Sequence, residues 1–324
     1  MPRVSEHRLM RSALGLLLGI GATLAQAEVF PSKAVRIIIP AAPGGSADKN
    51  ARAIADKLSE LWKQPVIVDL KPGANTLIGT DYVAKSAPDG YTLLMNSAAI
   101  VVNPSVYAKL PYDTLNDLVP VALVSTAPFA VVVHPSVPAR SIKEFIALAR
   151  TNPQLLSFGT AESRAMLAGH QFNLLARTQL QSIPYKGAGP LMNDLVAGHV
   201  PVSFSALSSV QAQVQAGRLR LLGVASSQRS SLSPEAEPIA ANELPGFEAA
   251  SWFGLFAPKG TPKSLASKIH QDVAEVLRDP VVAKRFADMG AQPSGEGPEP
   301  FALRMRAEVE SSAKVARAAN IQPE

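Results

Sequence analysis

The chain has 324 residues, no cysteine and a formal net charge of +5. The missing thiol excludes disulfides, thiolate metal sites, a cysteine nucleophile and a lipidated cysteine anchor. The basic excess forms no Lys/Arg stripe and is not interleaved with aromatics, so nucleic acid is not an expected partner, and the length suits about two domains with apolar cores.

In chain order, Arg3, Arg8 and Arg11 form a basic leader, Ser12 to Leu24 is apolar, and Ala25-Gln-Ala27 has the small-x-small pattern of a secretory cleavage site. Residues 1–27 read as a signal peptide cut after Ala27. Its apolar run is shorter than the roughly 20 residues of a spanning helix. The mature chain is expected to be a soluble monomer with no stable membrane anchoring, retained in a periplasm.

Val35 to Pro40 reads as a buried strand, Gly44 and Gly45 as a turn, and Ala51, Ile54, Ala55, Leu58 and Leu61 as the apolar face of a helix. Such a junction leaves unpaired N–H groups at a strand's end, backed by the positive pole of the helix, and so suits an anion. The amides around Gly44, Gly45 and Ser46 are candidate ligand contacts. Ser46 and Asp48 have a second reading, as helix-capping residues that offset the dipole.

A second strand is predicted at Pro65–Asp69, a turn at Lys71–Asn75, and a third strand at Tyr91–Met95 after the turn Pro88-Asp-Gly90. Ser97 and Ala98 fall at that strand's carboxyl end. Val119 to Val133, interrupted at Pro128, is long enough to carry the chain from one domain into another. The plan then repeats: helix Ile142–Ala149, strand Leu155–Phe158, turn Gly159-Thr-Ala161, and a helix with Ala165, Ala168, Phe172 and Leu175 on one face. In that second turn, Thr160 and Ser163 read either as caps or as ligand contacts, and Arg164 as a solvated residue or a grip on carboxylate. The amides of Tyr185–Gly189, Gly187 among them, offer another polar wall or a plain turn. Phe204, on the strand Val200–Ser205, reads as core or as cleft lining. After the strand Leu221–Ala225, Trp252–Ala257 is the return crossing, and helices Pro262–Leu277 and Pro300–Asn320 complete the first domain. Alternating strands and helices imply parallel sheets covered on both faces. Two of them joined by paired crossings describe a clamshell with its ligand at the strands' carboxyl ends. The expected partition is domain 1 at 28–124 and 250–324, with domain 2 at 125–249.

Several segments closely resemble the solute receptors of tripartite tricarboxylate transporters, the Bug/TctC family of periplasmic binding proteins. They are Pro43-Gly-Gly-Ser-Ala-Asp48, Lys71-Pro-Gly-Ala74, Ala87-Pro-Asp-Gly-Tyr-Thr-Leu-Leu94, Leu110-Pro-Tyr-Asp113, Pro184-Tyr-Lys-Gly187, Ala216-Gly-Arg-Leu-Arg220 and Trp252-Phe-Gly-Leu-Phe-Ala-Pro258. The resemblance implies a type II periplasmic-binding-protein fold: two parallel or mixed-sheet α/β domains, a two-strand hinge, and a cleft that closes on a small organic carboxylate for delivery to membrane permease subunits. It also implies carboxylate contacts from two loops, Pro43–Asp48 and Gly159–Arg164, which adds Ala161 and Glu162 to the candidates. The second loop departs from the family's longer Gly/Ser-rich pattern. Here Glu162 and Arg164 read as detectors of an amino or amide group and a further carboxylate, or as partners of each other. Asn75-Thr-Leu77 likewise replaces a more usual glycine-rich run.

His134, His170, His199 and His270 have no metal-ligand spacing, and neither a nucleophile elbow nor a phosphate-binding loop is present. No cofactor is expected. An exported carboxylate-processing enzyme and a ligand-presenting co-receptor for a membrane sensor are the rival readings. The enzyme lacks a closely spaced acid/base pair.

Overall fold

A computed structural model describes residues 30–152, 156–230 and 232–323. The leader, its cleavage site and Leu155 lie outside the described residues. Val35–Ile39 (β1), Val66–Leu70 (β2) and Thr92–Ser97 (β3) are parallel strands with β1 in the middle. Between them run Ser46–Trp62 (α1) and Leu77–Ala84 (α2), and Ala99–Val106 (α3) follows. The apolar face of α1 is as expected except at its end. Leu61 is exposed, whereas Trp62 is buried and donates to Asp272 at 2.7 Å.

The segment predicted to break at Pro128 is one strand, Leu118–Val133 (β4), because Pro128 sits where the chain passes from one set of partners to another. Its first part pairs antiparallel with Ala250–Pro258 (β9) and Gln292–Glu296 (β10). Its last five residues pair with Val202–Ala206 (β7) and Arg220–Val224 (β8). Ser157–Thr160 (β5) lies parallel to β7 and to Gln181–Pro184 (β6). The sheet is therefore mixed: two parallel wings meet at antiparallel crossings, with strand order β2-β1-β3-β9-β4-β7-β5-β6.

Ile142–Thr151 (α4), Ser163–Ala176 (α5), Ala188–Ala197 (α6), Leu207–Gln215 (α7) and the short Ile239–Asn242 (α8) cover the second wing. Lys263–Leu277 (α9), Pro280–Asp288 (α10) and Pro298–Ala318 (α11) return to the first. Each wing has apolar cores on both faces of its sheet. A small cluster of Val102, Val106, Leu167 and Ala316 joins α3, α5 and α11 across the two wings. Leu175, expected on the apolar face of α5, is 40% exposed. Gly159 belongs to β5 rather than to a turn. A Cβ there would lie 2.2 Å from the Leu191 side chain, so glycine is required by close packing and not by backbone curvature.

Candidate functional site

A cleft of about 800 Å³ opens where the two wings meet, within the roughly 300–1,000 Å³ of small-molecule pockets. Six helices begin at its wall: α1 at Gly45–Ala47, α2 at Asn75 and Thr76, α3 at Ser97 and Ala99, α5 at Ala161 and Glu162, α6 at Ala188 and Gly189, and α7 at Ala206 and Ser208. In none of the six does the N-cap residue's own side chain accept a cap hydrogen bond, although the Ser97 hydroxyl accepts from the Ala99 N–H at the start of α3 at 3.3 Å. By contrast, Ser141 caps α4 and Asp279 caps α10, both away from the cleft wall. First-turn N–H groups have no intrahelical acceptor, and each helix start carries roughly half a positive charge, so the wall is a field for anions built almost without charged side chains.

Helix α1 shows how the sequence leaves its donors open. Gly44 adopts φ 76°, which puts Gly45 at the N-cap instead of Ser46. Asp48 does not cap the first turn. Its carboxylate accepts from the Gly44 N–H at 2.8 Å and pairs with Arg52 Nε at 2.7 Å, four residues on. It is 5% exposed and so stands behind the turn rather than in the cleft. Asn50, one turn along, donates to the Ser46 carbonyl at 2.8 Å and accepts from the Ser125 hydroxyl of β4, fixing the helix start against the crossing strand.

Of the twelve candidates, Gly45, Ser46, Ser97, Ala161 and Glu162 are brought together on the cleft wall. Gly44 is not among the lining residues, and its N–H is taken by Asp48. Gly187 caps α6 at φ 110° beside the lining residues Ala188 and Gly189. Thr160 is buried at the end of β5. Ser163 is the first residue of α5 and not its N-cap, which is Glu162. Phe204 is fully buried in an aromatic cluster with Phe158, Phe172 and Phe247.

Arg164 is also off the wall. Its Nε donates to the Ala250 carbonyl at 3.4 Å, and its terminal nitrogen lies 3.7 Å from Glu308. Glu308, on α11, accepts from the buried Trp252 indole at 3.0 Å. The guanidinium thus ties α5 of one wing to α11 of the other instead of pairing with Glu162. Glu308→Ala leaves the Trp252 N–H buried without an acceptor and is expected to cost about 1–3 kcal/mol. Urea unfolding monitored by tryptophan fluorescence measures it, and an unchanged midpoint would mean that the network carries no stability.

The Glu162 carboxylate makes no hydrogen bond or ion pair among the described residues, while the residue's backbone carbonyl accepts from the Met166 N–H at 3.1 Å. Its side chain is exposed to the cleft, yet the protein crowding that point removes part of its hydration. That desolvation pushes its carboxyl pKa up, with the Arg164 charge acting in the opposite direction.

Ser205, at the end of the strand expected to reach the cleft, is on its wall, whereas Asn50, Ser125, Thr126 and Phe253 escaped the motif reading. The polar pair Ser125-Thr126 inside an apolar strand was a readable signal. Phe253 follows from strand alternation, since Trp252 fills the core on one face of β9 and its neighbour must point to the other.

A mixed α/β sheet of two wings around a cleft walled by helix N-termini is the fold of a periplasmic solute-binding protein. The tripartite tricarboxylate transporter family receptor model, TctC, matches residues 50–316, and the chain belongs to that family. Protein BugT of Bordetella pertussis is 37% identical over 279 residues, covering 85% of each chain. A protein from the tcbD-tcbE intergenic region of a Pseudomonas species is 36% identical over 308 residues, 94% of this chain and 92% of that one. Among solved structures, an R. palustris protein with adipate superimposes with a TM-score of 0.81 at 31% identity, covering 91% of this chain and 100% of that one. MatC from Rhodopseudomonas palustris with bound malate gives 0.75 at 27% identity, covering 89% and 100%. The mixed-sheet receptor fold expected from the sequence is the one observed, and the family's members are periplasmic receptors.

Proposed function

We propose that this receptor captures a small organic carboxylate in the cleft, closes over it by rotation about β4 and β9, and delivers it to a tripartite tricarboxylate-type membrane permease. The lobes of this motion are residues 28–124 with 250–324, and residues 125–249. The observation that carries the reading is the convergence on one cleft of six helix N-termini, none capped by the side chain of its N-cap residue. The amides of Gly45 and Ser46 take one carboxylate, and Ser97 and Ala161 complete the contacts from either lobe. Adipate and malate in related receptors support a carboxylate ligand. The hinge consists of two adjacent crossings, with the Phe129 N–H bonded to the Ala249 carbonyl at 3.0 Å. Closure needs the ligand to prefer the closed form, since equal affinity for both states shifts nothing.

A thermal-shift screen of mono-, di- and tricarboxylates on the mature protein tests this. A native-state ligand at a hundred times its Kd adds about 2.7 kcal/mol, raising the midpoint by roughly 5 °C. A panel in which no organic acid raises the midpoint with concentration would sink the proposal.

A further inference from the structure

Three ionisable side chains line the cleft: Lys49 on α1, Glu162 at the start of α5 and Asp288 at the end of α10. Asp288 is paired with Lys284 one turn back, at 2.8 Å. Lys49 and Glu162 have no ion-pair partner among the described residues, and they stand on opposite lobes. The cation expected to neutralise Glu162, Arg164, is held by the Ala250 carbonyl and Glu308. Nor does the Glu162 side chain serve the fold as a cap, since it makes no cap hydrogen bond to α5.

A free carboxylate is an odd lining for a wall whose other features attract anions. It repels the carboxylate that the helix starts draw in, unless the ligand itself brings a positive charge to that point. Resting on the carboxylate-capture reading above, we propose that Glu162 makes this receptor selective for carboxylates that also carry a protonated amine, the acid group seated at the start of α1 near Lys49 and the ammonium at Glu162. The other way to relieve the repulsion is to protonate Glu162 and let it donate to a second ligand carboxylate. Pairing with an ammonium is favoured, because Glu162 lines the cleft with no ion-pair partner of its own, and an opposite charge brought there by the ligand offsets the desolvation that raises its carboxyl pKa.

Calorimetric titration of matched probes tests the assignment: succinate against aspartate, glutarate against glutamate, and these diacids against 4-aminobutyrate and 5-aminopentanoate. Wild type is expected to bind the amine-bearing member of at least one pair roughly tenfold or more tighter, the effect of one charge-assisted contact. Glu162→Gln, which removes the charge and keeps the shape, should erase that preference without moving the unfolding midpoint of the unliganded protein. Acidification should weaken amine binding by wild type more than by the Gln variant, the difference being the proton that Glu162 takes up. Arg164, Lys49 and Asp288 are the other charged groups around it, and their effects are common to both proteins. Amine-free diacids that bind as well as or better than their amine partners would overturn the inference and leave carboxylate capture standing. So would an amine preference that survives in Glu162→Gln, or diacid binding that tightens on acidification. If neither diacids nor amino acids bind, the capture reading fails and this inference with it.

Discussion

Gly45→Asp is expected to abolish carboxylate binding in a protein that still folds. Gly45 is the N-cap of α1 with φ −70° and ψ 171°, extended backbone open to any residue, and a Cβ there meets only the Ala42 carbonyl oxygen, at 3.3 Å. Aspartate is among the best N-cap residues, so its carboxylate turns onto the open first-turn amides and accepts from them. The same act removes the donors that would hold a ligand and places a negative charge where the ligand's must go. Like charges brought together at a binding site cost several kcal/mol, which at 1.4 kcal/mol per decade is on the order of a hundredfold or more in affinity. Calorimetry with the dicarboxylate that gives the largest thermal shift measures the loss. Gly45→Ala supplies the control, since it adds the Cβ without the charge and should keep most of the affinity. Undiminished affinity in Gly45→Asp would place the ligand's acid group elsewhere in the cleft. An unfolding midpoint equal to or above that of wild type is expected, because the substitution caps a bare helix end.

The strand-turn-helix unit at Val35–Trp62 was legible because three independent signals agree there: a β-branched run, a glycine pair that frees the turn, and apolar residues at helical spacing. The return crossing at Trp252–Ala257 was legible for the same reason, as a compact apolar run between turns. Pro128 misled, since a proline signals a strand break only where its missing N–H is needed, and here it falls at the change of partners between β9 and β7. Helix α10 and strand β10 went unread. They are short, and β10 pairs with β4 only through a register shift, so no sustained periodicity marks them. At the site, sequence located the loops but not the hydrogen bonds. Whether Asp48 faces a ligand or bonds Gly44 and Arg52 depends on one rotamer. Whether Arg164 reaches the cleft depends on Glu308, 144 positions later in the chain, which no local pattern links to it. The assembly of six helix starts is likewise a product of topology: each is an ordinary junction alone, and their convergence exists only once the parallel wings are folded.

The second large effect is structural. Phe204→Ala is expected to destabilise the protein by about 3–5 kcal/mol, the range for removing a fully buried phenylalanine. The Phe204 ring is 0% exposed, and its centroid lies 5.3 Å from Phe158 in an edge-to-face contact, 5.3 Å from Phe172 and 6.2 Å from Phe247. Those partners come from β5, α5 and the segment before β9, so the ring fastens the second wing's sheet to its covering helix and to the chain returning toward β9. Urea unfolding gives the loss directly, and the slope should stay near that of wild type if the unfolding remains two-state. Phe204→Leu, which fills much of the same space, separates packing from ligand contact. It should recover a large part of the stability and bind carboxylate as wild type does, because Phe204 is not on the cleft wall, whereas Phe253 is. A Phe204→Leu protein of near-normal stability with markedly weakened binding would instead put the ring in contact with the ligand, and would mean that the second lobe rearranges on closure.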